Sequence, residues 1–362
     1  MKNELSTEQA MLLENLMYLP EEYDIVEMGS EGKTVGQWLD AVEERLDYDY
    51  FGAAAAAAEK NSQLLGGASA ASETFVPRAR FDAWDIILEA SKYAPEPLET
   101  TGQPEAEWKD ILNAVKNDET LMNLRIVETH VDNSENGGGG GVSALFVNPE
   151  TNEAIVAFRG TDSEEWKDNF VGGGPTDQPD GVSTAQQANA LEWYQGLDLE
   201  GYSQRTVVGH SKGGNKAKYV TVMDDSVDRC IAMDGQGFSD EFIETYSEQI
   251  LSNQHKISNH NCSDDYVNIL LNDIGEKTYY EPQNIGDGTG FSKILEAHCP
   301  NQYFKFGEDG SFATAEKNAE TLLVALRRIV EMYRSCEMRI VCSGRDAAAC
   351  KTHPERYGGA SR

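Results

Sequence analysis

The pentapeptide Gly209-His210-Ser211-Lys212-Gly213 is where residue types and spacing first point to covalent chemistry. It follows the β-rich run Thr206-Val207-Val208 and leads into a helix-compatible segment from Gly213 to Met223. A serine at a tight strand-to-helix turn takes strained backbone angles, so the residues two before and two after it must be small enough to clear neighbouring backbone. Gly209 and Gly213 meet that need. The helix behind the turn would aim its N–H groups and dipole at the serine, where they stabilise an alkoxide or an oxyanion. Ser211 is therefore the candidate nucleophile, and the N–H of Lys212 a candidate oxyanion-hole donor. The competing reading is an ordinary glycine-rich turn.

An activated serine needs a base and an acid, and where the nucleophile sits on such an elbow the chain order is Ser, acid, His. His255, His260, His298 and His353 follow Ser211. His353 lies in a polar tail, and His255 and His260 come before or very near any acid. That leaves His298, in Glu296-Ala297-His298-Cys299-Pro300, as the candidate base. The leading acid is Asp265, at the head of Asp265-Tyr266-Val267-Asn268-Ile269-Leu270-Leu271 and after a predicted strand. Asp264 is its immediate rival. Asp234 is a second rival, because a carboxylate at the end of the strand after the nucleophile can also reach the histidine. With these groups, His298 would remove the Ser211 proton, Asp265 would fix the imidazole tautomer, and water would release the acyl group. The expected reaction is cleavage of an acyl ester of a small molecule or lipid. An acyltransferase or an amidase would use the same groups, and a hydrolase-like binding scaffold is the non-enzymatic alternative. The chemistry needs no metal or organic cofactor.

These residues must be positioned by a sheet. Apolar residues recur at helical spacing in Glu8 to Tyr18, with Ser6 placed as a cap, and in Val35 to Leu46, so residues 1–123 are expected to form a helical N-terminal or cap region. The Ala53 to Ala58 run and the Gly66 to Ser69 break carry no chemistry. From Leu124 short β-rich runs appear: Arg125 to Thr129, Val142 to Val147, and Ala154 to Phe158. A helix from Ser183 to Leu197, the strand Arg205 to Val208 and strand candidates at Arg229 to Met233 and Lys256 to Ile257 follow. Such alternation predicts an α/β fold of the α/β-hydrolase type, a mostly parallel sheet with helices on both faces over 124–335. An amphipathic helix from Ala315 to Met332 and a tail over 336–362, disordered from about Ser343, close the chain. Gly137 to Gly141 is a hairpin loop and not a phosphate cradle, because no Lys-Ser or Lys-Thr pair follows. The Phe170 to Ser183 loop, by its glycines, is expected to act as a lid.

Ile155-Val156-Ala157-Phe158-Arg159-Gly160-Thr161-Asp162, followed by Glu165-Trp166-Lys167-Asp168, resembles the Arg-Gly-Ser/Thr segment of class 3 lipases. Together with Gly209-His210-Ser211-Lys212-Gly213-Gly214-Asn215 and Asp234-Gly235-Gln236-Gly237-Phe238, it resembles more closely the Mbeg1-like family of bacterial α/β hydrolases, over roughly residues 5 to 315. The resemblance implies that Thr161 supplies the second oxyanion-hole donor. It also implies a histidine at His298, in a loop followed by an aromatic residue such as Tyr303, and a small or acidic residue at Asp265. Asn268 departs from the family pattern, which has glycine there. Arg159 and Asp168 are read as structural partners around the oxyanion loop. Lys212 is read as an ion-pair partner of a nearby acid or a selector of anionic substrates.

Composition narrows the partners. The 362 residues include 62 Asp plus Glu against 30 Lys plus Arg, a formal net charge of -32. Such a field repels phosphate backbones and anionic membrane surfaces, so nucleic acid is not an expected partner. No stretch is apolar for the roughly 18 residues a spanning helix needs, and the acids near the start argue against a secretory leader, so a cytoplasmic protein without integral membrane association is expected. Export without a leader and the oligomeric state are left open. Cys230, Cys262, Cys299, Cys336, Cys342 and Cys350 lack Cys-x-x-Cys spacing and read as free thiols; their even number leaves a Cys262–Cys299 pair to be tested.

Overall fold

A computed structural model of the chain describes residues 4–19, 23–45, 105–132, 141–160, 178–283, 297–306 and 312–316. Helix α1, Thr7–Leu16, starts where the Ser6 hydroxyl accepts from the Gln9 N–H and the Gln9 side chain accepts from the Ser6 N–H, two orphan donors satisfied reciprocally. The helix over 35–45, α2, begins with the same device between Thr34 and Gln37. Helices α3, Glu105–Lys116, and α4, Glu119–Asn123, follow, the latter capped by Asp118.

Seven strands lie side by side in chain order: β1 Arg125–Asp132, β2 Gly141–Asn148, β3 Glu153–Phe158, β4 Gln204–His210, β5 Arg229–Met233, β6 Ile257–Cys262 and β7 Glu276–Tyr280. The β1/β2 and β2/β3 pairs are antiparallel, and each later pair is parallel. The sheet is thus mostly parallel, as expected. Strands β2 and β3 are buried on both sides, which is why they read as continuous apolar runs.

Two strands depart from the sequence reading. Lys256 belongs to a 3-10 turn, and β6 runs on through the polar Ser258-Asn259-His260-Asn261. Neighbours satisfy part of this polarity: the Asn259 amide donates to the carbonyls of Ile274 and Glu276, and His260 Nδ1 bonds the Tyr280 hydroxyl. Strand β7 was not anticipated, since Glu276-Lys277-Thr278 carries no apolar run; it is an edge strand with exposed residues.

Sequential strand order has a geometric result. Right-handed parallel crossovers that always step the same way deposit their helices on one face of the sheet. Helices α5 (Ala185–Gly196), α6 (Lys212–Met223), α7 (Asp240–Thr245) and α8 (Ser247–Asn253) share one apolar cluster with Val156, Val207 and Ala232 of the strands. Ile155, Ala157, Val208 and Ile231 point the other way and pack with Met11, Leu12, Leu16 and Trp38. The described helices α1 to α4 form the second layer of the core.

Further on, the 3-10 turn Pro300–Tyr303 leads into β8, Phe304–Phe306, which pairs with β9, Phe312–Thr314. Ala315 is not helical: its N–H donates to the Tyr303 carbonyl at 2.7 Å. The rest of the expected helix to Met332, the 335/336 boundary, the tail and the Ala53 to Ala58 run lie outside the described residues. Cys230, Cys262 and Cys299 are buried and form no disulfide, so the Cys262–Cys299 pair is not bridged; Cys336, Cys342 and Cys350 lie outside the described residues. Among the described residues no helix is long and apolar enough to cross a membrane.

Candidate active site

Ser211 stands between β4 and α6 with φ 60° and ψ −125°, a combination reserved almost wholly for glycine. The strain is held by packing around it. A Cβ on Gly209 would lie 2.3 Å from the Gly213 carbonyl carbon, and one on Gly213 would lie 1.8 Å from the Phe158 oxygen. The Ser211 N–H is tied to the Met233 carbonyl at 2.9 Å. The small-residue demand read from the pentapeptide is thus a real steric closure against strand β3.

The structure brings three of the predicted residues into one chain of contacts. His298 Nε2 lies 2.7 Å from Ser211 Oγ, and His298 Nδ1 lies 2.7 Å from Asp265 Oδ1. Asp265 is 0% exposed, and its second oxygen accepts the N–H groups of Val267 and Asn268 at 3.0 and 2.8 Å. The carboxylate is thereby fixed by its own loop and aimed at the imidazole. His298 keeps 16% of its side chain exposed, so the open side of the chain of contacts is at the histidine and serine.

The rival acids fall elsewhere. Asp265, not Asp264, meets His298. Asp234 is 0% exposed and turned into the core: Oδ1 accepts from the Cys262 N–H and the Asn268 side-chain amide, both at 2.7 Å, and Oδ2 meets the Tyr303 hydroxyl. Burial first, then the charge of Asp265, pushes the Asp234 carboxyl well above the ordinary carboxylate range. A neutral Asp234 fits the geometry, because the single Tyr303 hydrogen can then go to the His260 carbonyl at 2.8 Å while Asp234 supplies the proton between itself and Tyr303. Asn268, the departure from the family pattern, also donates to the Cys262 carbonyl at 2.8 Å and so joins the two aspartate-bearing turns.

His210, Asp234 and His298 offer ligand-type atoms within 4.8 Å of one another. The hydrogen bonds above engage both Asp234 oxygens and both His298 nitrogens, and His210 Nδ1 is taken by the Tyr18 hydroxyl. His210 Nε2 has no hydrogen-bond partner among the described residues, and a metal ion there would have to displace the hydrogen bonds of Asp234 and His298.

Of the oxyanion-hole candidates, Lys212 is the first residue of α6, where the helix itself supplies no acceptor for the N–H; its side chain is buried. Thr161 lies outside the described residues, as do Asp168 and most of the Phe170 to Ser183 loop. Arg159 faces Asp24 at 3.9 Å, and its carbonyl accepts from Lys216 at 3.3 Å.

Two residues escaped the sequence reading. Glu14 accepts the His210 N–H through Oε1 at 3.1 Å, and Tyr18, one turn on, meets His210 Nδ1 at 2.7 Å. Both come from the N-terminal region, and the only sequence signal was their i, i+4 spacing, ordinary on any helix. Burial above all pushes the Glu14 carboxyl well up, and burial followed by the neighbouring His298 ring holds His210 well below the ordinary imidazole range.

The resemblance read from the motifs is borne out by comparison with known families. Residues 117–277 match the Mbeg1-like family. The Mbeg1-like stretch carries the elbow and Asp265, while His298 and the Glu14–Tyr18 turn lie beyond it, and it is shorter than the span of 5 to 315 over which the resemblance was read. Among curated proteins, none matches the chain. Solved structures similar to it include the Lip2 lipase from Yarrowia lipolytica, at 12% identity over 67% of this chain and 89% of that one with a TM-score of 0.34. A triacylglycerol lipase from Penicillium expansum is similar at 13% identity over 56% and 86%, with a TM-score of 0.33. At those scores the likenesses carry no argument about this chain. The mostly parallel sheet, its helical layers and the elbow between β4 and α6 make the Mbeg1-like stretch part of an α/β-hydrolase fold.

Proposed function

We propose that the chain is a serine hydrolase that cleaves an acyl ester of a small molecule or lipid through Ser211, His298 and Asp265. The observation that carries this reading is the unbroken run of two 2.7 Å contacts from Asp265 through His298 to Ser211, on an elbow whose strain only close packing sustains. In such a run the imidazole takes the hydroxyl proton as the oxygen attacks the acyl carbon, then gives it to the leaving group. Asp265 holds Nδ1–H, so the attacking side of the ring is the basic nitrogen. The acyl-enzyme is released when water repeats the sequence. The Lys212 N–H and the dipole of α6 stabilise the tetrahedral oxyanion, and the Mbeg1-like match supports Thr161 as the second donor.

The test is intact mass after exposure to a fluorophosphonate, on the wild type and Ser211→Ala, followed by peptide mapping. A single adduct on Ser211 that vanishes in the variant is the expected result. A wild type that takes no adduct overturns the reading.

A further inference from the structure

The Tyr18 hydroxyl occupies a place that the proposed triad leaves unexplained. The Gly160 N–H donates to it at 2.9 Å, it meets His210 Nδ1 at 2.7 Å, and it lies 3.4 Å from the His210 carbonyl. Its ring stands edge-on to His210 at a centroid distance of 5.3 Å and an interplanar angle of 79°. One buried oxygen therefore bridges Gly160, the second residue after strand β3, to His210, the residue before Ser211. The fit is close: a Cβ on Gly160 would lie 2.4 Å from the Tyr18 oxygen and 2.9 Å from Ser211 Cβ. Glu14, from helix α1 just before Tyr18, accepts the His210 N–H, so His210 is held through its backbone and its ring at once.

We propose that Tyr18 is a positioning residue for the oxyanion-binding half of the site, its hydroxyl setting the Arg159-Gly160 turn against the Ser211 elbow. The inference rests on the serine-hydrolase reading. Gly160 precedes Thr161, the proposed second donor, in the chain, so the Tyr18 contact fixes the peptide from which that residue continues. A donor displaced by a fraction of its hydrogen-bond length loses most of its effect on the transition state and little on substrate binding.

Tyr18→Phe removes the oxygen and keeps the ring. With a p-nitrophenyl ester, kcat is expected to fall about tenfold or more with KM unchanged. Binding of a trifluoromethyl ketone, which mimics the oxyanion, should weaken by the same factor, with little change in melting temperature. Amide exchange at Gly160 in the wild type should be slow, a check that needs no variant; exchange at an open-loop rate overturns the contact. A variant with wild-type kcat, or one that loses only KM or stability, overturns the inference while the hydrolase reading stands. A wild type unlabelled by fluorophosphonate removes both, and that outcome is told apart by the label alone.

Discussion

The side-chain amide of Asn268 reaches Asp234 Oδ1 at 2.7 Å, and this contact separates the duties of two buried aspartates. The backbone of the same residue serves Asp265, which is left to face His298. Asp234, wrapped by donors, is a fastening between β5, β6 and the Tyr303 turn.

Asparagine substitutions should divide the pair. Asp265→Asn turns the hydrogen-bonding of Nδ1 to the wrong tautomer and is expected to lower kcat by about 10³ to 10⁴ with the fold intact. Asp234→Asn keeps both acceptor contacts on its oxygen and can donate its amide to Tyr303, so kcat should stay within about threefold of wild type, the usual scatter of a residue outside the reacting groups. Ester hydrolysis by the two variants decides it; equal losses would contradict the division.

The same substitution reports on protonation. A carboxyl whose folded pKa is raised keeps its proton in the folded chain after the unfolded chain has lost it, so stability is full below the ordinary carboxylate pKa and declines as pH rises toward the folded value. The slope attributable to Asp234 approaches about 1.4 kcal/mol per pH unit at most. Urea unfolding of the wild type between pH 4 and 7 should show a steeper decline than Asp234→Asn, while Glu14, raised for the same reason, keeps its own share in both.

Asn268→Gly restores the residue the family pattern has at that position and removes two buried donors. Asp234 Oδ1 keeps the Cys262 N–H, and the Cys262 carbonyl loses the Asn268 amide but keeps the Asp265 N–H at 3.3 Å. A loss of about 1 to 3 kcal/mol is expected from the two hydrogen bonds removed, each worth about 0.5 to 1.5 kcal/mol. Chemical denaturation would measure it, and a loss under a few tenths of a kcal/mol would show that the turn repacks around the gap.

Lys218 and Asp273 form a buried ion pair at 2.5 Å, with Lys218 also donating to the Gly235 carbonyl at 3.1 Å, and so bind helix α6 to the loop that carries Asp265. Lys218→Met strands the Asp273 charge beside the half-exposed Lys277 and should cost about 3 kcal/mol or more. Adding Asp273→Leu should recover much of that. Thermal melts of the single and double variants give the coupling directly; additive losses would deny the pair its role.

The elbow, the first strands and the helix after Ser211 could be read from the chain because each rests on a local pattern: a β-run, glycines at fixed spacing, a capping serine. His298 followed from chain order and context, while Asp265 led Asp264 and Asp234 through its place after a predicted strand and the family resemblance. Tyr18 and Glu14 did not, because they meet His210 across 192 and 196 positions, and no spacing rule reports a contact that the tertiary fold creates. Strand β7 was missed for a related reason: an edge strand needs no apolar face, and Glu276-Lys277-Thr278 offers none. Asn268 could be seen as a departure from a pattern, but its partners became evident only when two turns met.

Helix α1 has its own timetable. The Asn15 amide donates to the Pro300 carbonyl, 285 positions on, while Leu5 N–H is held by Glu153 and Glu14 by His210. A ribosome delivers this helix well before Pro300, the last of these partners to emerge. Contacts at such separation close slowly, because the entropy of a long loop is lost before the contact rewards it. The early helix must therefore wait with its apolar face uncovered, an interval in which a nascent chain is exposed to aggregation and to chaperones.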